Sequence, residues 1–514
     1  PHVFFLPPML PDPSARFSAA FVGTLDVEIM ICVWRTADKT CGPALEVYTR
    51  NAGAGSEIVR VPEGAEYYLV NWHTDAILDQ FPLAEDEDYR IRVVVGNRVL
   101  AYADVQVVGA AKDLKNVNTG EYIPLLDGRT LPIKVRVEEG WEKYGAVETV
   151  EAGGSHTCRL TAAGAAFCWG DNSYGQLGIG YADYDGSTTP RPVVGGHSFA
   201  SLSVGRNHTC GLTLAGETYC WGWGSYGQLG GGTTPFAQST PTIVAGGISF
   251  SAIAAGSGST CALTASGKAY CWGLGHYGQL GSGPYGFTPK TTPVEVDGGI
   301  TFASLSASKE GLHVCGVTSG GDAYCWGWGI FGQLGGGSTP TAQPSPTLVS
   351  GGLTFLSVSA GNYHSCGLTT GGAAYCWGSG SLGRLGDGQL HATSPYGTTS
   401  PVPVVGAHSF TALAAGWNSA CGIDANGGAY CWGAGVYGQL GQGPSWPNQP
   451  APTMVLGGHT FVTISAGKDY NCGLASTGDA FCWGYGGYGQ LGNGTWYPNH
   501  SSIPVEVVAP AGGW

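Results

Sequence analysis

The sequence predicts an all-β protein: a seven-bladed β-propeller preceded by an N-terminal β-sandwich of immunoglobulin-like type and an extended N-terminal arm. Three observations predict it. Glycine supplies 88 of 514 residues, and charged residues only 11%, where ~25% is usual. Hydrophobic content is nonetheless 43%, so the chain can bury a core. After residue 150 the cysteines form seven pairs, each with a spacing of ten, recurring every 51 to 55 residues. A unit of that length, with alternating apolar patterning and no helical period, holds four short strands. Radial repetition of four-stranded sheets is a propeller.

The arm covers residues 1–17. Val3, Phe4, Phe5 and Leu6 form a bare apolar run before Pro7-Pro8. Two placements satisfy such a strand. It can sit at the edge of its own sandwich, or it can add to the sheet of a neighbouring copy as a donor strand. The chain starts at Pro1 without a leader, as expected of an exported protein whose signal peptide has been removed.

Residues 18–140 do not repeat. "TLDVEIMICVW", "EYYLVNW", "YRIRVVVGNRVLAYADVQVV" and "TLPIKVRVEE" alternate apolar and polar residues, as half-buried strands do. Gly96-Asn97 and Asp127-Gly128 are hairpin turn signals. Cys32 and Cys41 are the only cysteines here and are expected to pair. "WEKYG" (141–145) is a short junction to the next domain.

The propeller is assigned to residues 141–514. In the first repeat Cys158 and Cys168 flank a turn whose Gly164 suits the left-handed last position of a three-residue hairpin loop. That register sets the two cysteines opposite each other, within disulfide reach. The same reasoning pairs Cys210 with Cys220, Cys261 with Cys271, Cys315 with Cys325, Cys366 with Cys376, Cys421 with Cys431, and Cys472 with Cys482. Short CxxC spacing, the usual mark of a zinc site, is absent from the sequence. Regular even pairing points to an oxidising compartment, and so to an extracellular or cell-surface location. Each second cysteine is followed by Trp-Gly, then by a GQLG turn whose Gln is Gln176, Gln228, Gln279, Gln333, Gln439 or Gln490. The fifth repeat carries Arg384 instead. The spare "PVEV" strand near the C-terminus is expected to complete the sheet begun near Gly145 and so close the ring.

The string of His-Thr-Cys, Leu-Thr, Gly, Cys-Trp-Gly and Tyr-Gly-Gln-Leu-Gly resembles the regulator of chromosome condensation repeat. The likeness spans roughly residues 145–510, and is closest to a cysteine-paired type exported by bacteria. The resemblance implies a seven-bladed propeller that binds proteins through its faces, with no shared reaction. The segment "DLKNVNTGEYIPLLDGRTLPIKVRVEEG" (113–140) is similar to the end of a domain that precedes such repeats in exported bacterial proteins. His156, His208, His313 and His364 occupy one family position, filled by Ser259, Ser419 and Tyr470 elsewhere. This reads as a structural position rather than a metal site.

Function follows from exclusions and from the loops. A net charge of −14 without a basic run argues against nucleic acid. No run of 18 apolar residues argues for a membrane helix. No GxSxG, HExxH or GxxxxGK motif occurs, so no enzyme, catalytic residue, cofactor or metal is expected. Asp183, Asp185 and "EDEDY" (85–89) read as solvated acidic loops rather than calcium ligands. Asn207, Asn493 and Asn499 stand in glycosylation sequons. The loops after GQLG vary and carry Tyr184, Phe236, Tyr285, Phe287, Tyr396, Trp446, Trp496 and Tyr497. Aromatics among Asn, Ser, Thr and Gly suit a rigid binding face, and they equally suit packing between loops. The leading expectation is a non-enzymatic surface protein that self-assembles through its arm and displays the propeller for adhesion. The alternative is a secreted recognition protein that binds a protein or glycan with the aromatic loop face.

Overall fold

A computed structural model describes residues 148–510 apart from Pro284, Tyr285, Phe287, Ser394, Pro395, Ser445, Trp446, Tyr497 and Pro498, together with the backbone of eight strands within residues 1–147. The chain divides into two compact units, residues 1–147 and 148–514. No helix among the described residues is long and apolar enough to cross a membrane.

The first unit contains β1 (Val3–Phe5), β2 (Val27–Arg35), β3 (Thr40–Tyr48), β4 (Tyr68–His73), β5 (Asp88–Val95), β6 (Arg98–Val108), β7 (Ile123–Leu126) and β8 (Thr130–Val137). They form a three-stranded sheet, β1-β8-β4, and a five-stranded sheet, β3-β2-β5-β6-β7. β1 runs antiparallel to β8 of the same chain, with Val3 opposite Val137 and Phe5 opposite Val135. Leu6 lies outside the described residues. Val95 pairs with Arg98, so Gly96-Asn97 does close a two-residue hairpin. Asp127-Gly128 does not close one. β7 pairs in parallel with β6 while β8 belongs to the other sheet, so the chain changes sheets between them. Cys32 stands opposite Ala44 and Cys41 opposite Trp34 in the β2–β3 register. Their side chains lie outside the described residues.

The second unit is a ring of seven four-stranded antiparallel blades. Blade 1 is β9 (Thr149–Ala152), β10 (His156–Leu160), β11 (Ala166–Asn172) and β12 (Asp183–Pro192). The first strands of all seven blades neighbour one another in a closed ring. The central channel they line is narrow, about 240 Å3, with Leu202, Ile253, Leu305, Leu413 and Ile464 lining it beside the Ala and Ser of these strands. Second strands, such as His208–Thr213 in blade 2, are buried almost throughout because a blade covers each face. Fourth strands are half-buried edges.

The hairpin geometry matches the spacing of the cysteines. Thr161 N donates to Ala165 O, Gly164 N donates to Thr161 O, and Gly164 takes φ +81°. Cys158 then faces Cys168, and the same pairing recurs in every blade. All seven pairs are disulfides with Cα–Cα 4.1 Å, and all are fully buried. Replacing both Cys210 and Cys220 with alanine is expected to lower stability by about 2 kcal/mol, since the closed loop is short. Urea unfolding of the double variant checks this, and an unchanged midpoint would contradict it.

Blades are glued by one repeated joint. Trp272 of blade 3 and Phe250 pack against the Cys210–Cys220 pair, Leu212 and Leu229 of blade 2. Gly211 makes room for Phe199, whose ring would lie 2.5 Å from an added Cβ. Blade 1 has no such phenylalanine. Arg159 stands in place of that glycine and fills the space, pairing with Glu148 and donating to Gly478 O at 2.7 Å.

Ring closure differs from the expected strand exchange. The C-terminal strand His500–Glu506 is the fourth strand of blade 7, and blade 1 is complete with β12. β12 follows β11 through its own loop, so no place is left for a second outer strand. Closure is made by side chains instead. Tyr470, at the position where four other blades carry histidine, donates from its hydroxyl to His156 O at 2.6 Å. It accepts from Gly153 N and Thr157 Oγ1, both at 3.0 Å. Val150 and Trp169 of blade 1 pack against Cys472, Leu474 and Leu491 of blade 7.

Candidate functional face

In an antiparallel blade the loops joining strands 1 to 2 and strands 3 to 4 leave at the same end. Both sets therefore build one face of the ring. The GQLG turn anchors it. Gln176 Oε1 accepts from Tyr174 N at 2.8 Å, and its counterparts do the same in five other blades. The Gln176 carbonyl accepts Trp221 Nε1 and Thr209 Oγ1 of the next blade, each at 3.0 Å. Because the Thr209 hydroxyl proton is spent there, it accepts from His156 Nε2 at 2.8 Å. His208 and His313 repeat this contact with Thr260 and Ser365. The four histidines thus sit buried inside separate joints rather than around a common centre. No group of His, Cys, Asp or Glu among the described residues could hold a metal. Asp183 Oδ1 accepts from Gly186 N at 3.0 Å and so shapes the start of β12.

Blade 5 breaks the pattern. Arg384 offers no acceptor to the Leu382 N–H, and Leu382 takes φ +68°. Nε and Nη1 of the buried guanidinium have no hydrogen-bond partner, and the ring of Tyr363 lies 5.9 Å away. Burial pushes the arginine pKa down to about 10, with Tyr363 opposing. Arg384→Gln is expected to stabilise the propeller by about 1 kcal/mol, by supplying the missing acceptor and removing a buried cation. A melting temperature that falls would contradict it.

The predicted aromatic loops do reach this face. Tyr184 is 88% exposed, Phe236 66%, Tyr396 53% and Trp496 48%. Tyr285, Phe287, Trp446 and Tyr497 lie outside the described residues. Sequence reasoning missed a second, inner set. Trp223 packs edge-on to Tyr226 at 4.8 Å, and Tyr174 joins Trp223 to Phe236. Trp328, Phe331 and Tyr363 form a second group, with centroids 4.9–5.6 Å apart. Part of the signal was available: an aromatic stands just before GQLG in six of the seven repeats, as Tyr174, Tyr226, Tyr277, Phe331, Tyr437 and Tyr488, whereas the position two after Cys-Trp is aromatic only as Trp223, Trp328 and Tyr485.

The channel is plugged from the same face. The loop between strands 1 and 2 is two residues longer in blade 4, where Cys315 follows Ala307 by eight positions rather than six. The additional length carries Lys309 and Glu310 across the channel mouth. Lys309 Nζ donates to Ala152 O at 2.6 Å, Ser465 Oγ at 3.2 Å and Glu151 Oε2 at 3.3 Å. Glu310 lies 3.5 Å from Arg206 Nε and is buried. Burial pushes its pKa up to about 7, Arg206 and Lys468 pull the other way, and Asp469 adds to the rise.

With the repeat geometry established, comparison with known proteins places the chain. The regulator of chromosome condensation (RCC1) repeat matches at residues 147–176, 199–228, 250–279, 355–384, 410–439 and 461–490 in one form. A second form matches at 163–212, 215–263, 266–322, 320–368, 426–474 and 477–513. The chain belongs to the RCC1 repeat family. It is similar to the ultraviolet-B receptor UVR8 of Arabidopsis thaliana, 31% identical over 71% of this chain and 82% of that one. It also resembles the secretion-regulating guanine nucleotide exchange factor of Mus musculus, 29% identical over 68% and 81%. Its likeness to the human E3 ubiquitin-protein ligase HERC2, 29% identical, spans only 7% of that protein. Among solved structures, Prp20p of Saccharomyces cerevisiae shares the fold, with TM-score 0.61 at 22% identity over 72% of this chain and 88% of that one. As an RCC1-type propeller, the chain fits a non-enzymatic binding role.

Proposed function

We propose that this RCC1-repeat protein is a secreted or cell-surface recognition protein that captures its partner on the aromatic loop face, with the N-terminal unit serving as an immunoglobulin-like spacer or anchor. The carrying observation is the double layer of aromatics on one face of a ring stapled by seven disulfides. Rigid aromatics with few rotatable bonds lose little entropy on binding and dominate interface energetics. Dense disulfides favour an oxidising compartment. Relatives named as a receptor and as an exchange factor also support recognition over catalysis. Self-assembly through the arm ranks below this reading, because Val3–Phe5 already pairs with β8 of its own chain.

The test uses the labelled full chain on arrays of immobilised extracellular proteins and glycans. A triple variant carrying Tyr184→Ser, Phe236→Ser and Trp496→Ser should lose binding by more than about tenfold. A double variant with Leu214→Ser and Leu356→Ser, exposed on the opposite face, should bind as the unchanged chain does. Equal binding by all three proteins would overturn the proposal.

A further inference from the structure

Between blades 6, 7 and 1, on the aromatic loop face, lies an open pocket of about 290 Å3. Tyr437, Tyr485 and Tyr488 wall one side, with neighbouring ring centroids 5.3 and 6.0 Å apart and steeply inclined. The other side is polar. Lys468 Nζ lies 4.3 Å from the centre of the Trp417 ring, and Asp469 follows it at φ +59° with 8% exposure. Gly154 and Ser155 of blade 1 complete the lining.

We propose that this pocket binds one neutral pyranose ring, as a single sugar unit of a glycan. The inference rests on the reading of this face as a recognition surface. Four features support it. The volume sits at the low end of the ~300–1,000 Å3 typical of small-ligand clefts, which suits one six-membered ring. The tyrosine faces offer an apolar bed for the C–H face of a sugar. Lys468 can only donate and an ionised Asp469 can only accept. Two adjacent hydroxyls of a sugar satisfy both at once, because each hydroxyl donates and accepts. Charge selects against the alternatives. A cationic ligand would meet Lys468, whose ammonium already occupies the face of Trp417. An anion would meet Asp469, with Glu310 close by across the plug.

The test titrates the full oxidised chain with the methyl glycosides of glucose, galactose, mannose and N-acetylglucosamine, followed by saturation-transfer NMR and tryptophan fluorescence. Tetramethylammonium and inorganic phosphate serve as charged probes. At least one glycoside should bind with a Kd below about 50 mM. Tyr488→Ala, at a side chain 48% exposed and outside the core, should weaken it about tenfold. Asp469→Asn should weaken it similarly while keeping the fold, since asparagine tolerates positive φ. Leu214→Ser, on the opposite face, should leave it unchanged. No glycoside binding, binding indifferent to both pocket variants, or saturable binding of either charged probe would overturn the proposal. If the array partner still depends on Tyr184, Phe236 and Trp496 while no glycoside binds, the pocket proposal falls and recognition by the face stands.

Discussion

Acidification from pH 7 to 4.5 is expected to remove about 8 kcal/mol of stability from the propeller, through three buried histidines alone. Burial pushes His156, His208 and His313 down to about 3, with His208 and Lys309 adding to the effect at His156. His364 moves in the same direction, by burial first and then by Arg384 and His313. The sign follows from where the proton binds. Below about pH 6.5 an unfolded histidine takes up a proton that the folded joint refuses. Stability is therefore complete above that pH and is lost as pH falls toward 3, by about 1.4 kcal/mol per unit for each residue. Glu310 acts in the opposite sense. Its folded pKa is raised, so its share is complete below about 4.5 and is lost as pH rises through about 7. Urea unfolding at pH 7, 6, 5 and 4.5 measures the first effect. His208→Ser, which copies the residue of blades 3 and 6, should remove about a quarter of the slope, since four buried histidines share it. Stability that does not change across that range would refute the account. Glu310→Gln should flatten the decline on the alkaline side.

Much of the fold was legible in the sequence, for a reason visible in Cys158 and Cys168. A spacing of ten around a glycine turn fixes a register, and seven copies of that register fix a radial repeat. The Gln of GQLG and the histidine were legible as structural because their neighbours repeat with them. What was not legible depends on which loops meet in space. The plug arises from two extra residues in one loop, and their partners lie in blades 1, 2 and 7. The pocket draws Trp417, Lys468 and Ser155 from columns where the repeats disagree, so no column marks it. The closure by Tyr470 was hidden in the same way, as a departure from histidine that only acquires meaning at the joint with blade 1. Asp127-Gly128 misled because a turn signal specifies a local bend and not the sheet that the next strand will join.

Trp221→Ala is expected to cost about 4 kcal/mol, near the upper part of the range for large core truncations. The ring is fully buried, packs on Phe199 at 5.8 Å and bonds the Gln176 carbonyl, so truncation opens a cavity in a joint between two blades. The indole hydrogen bond can be separated from the packing by comparing blades. Trp483 occupies the same position in blade 7, but its Nε1 has no acceptor, and the Gln439 carbonyl accepts from Asn471 Nδ2 at 2.6 Å instead. Replacement by phenylalanine keeps most of the ring and removes the N–H. Trp221→Phe should therefore cost about 1 kcal/mol more than Trp483→Phe. Urea midpoints of the three variants supply both numbers. If the two phenylalanine variants are equally destabilised, the Trp-to-carbonyl bond adds nothing and the blades are held by packing alone. If Trp483→Phe is the gentler change, every joint but that of Trp483 is held twice, by a ring in a slot and by an indole N–H on a fixed carbonyl. Six such joints, with the seventh at Trp483 held by packing, would then account for a rigid ring whose loop face keeps its shape in the absence of a partner.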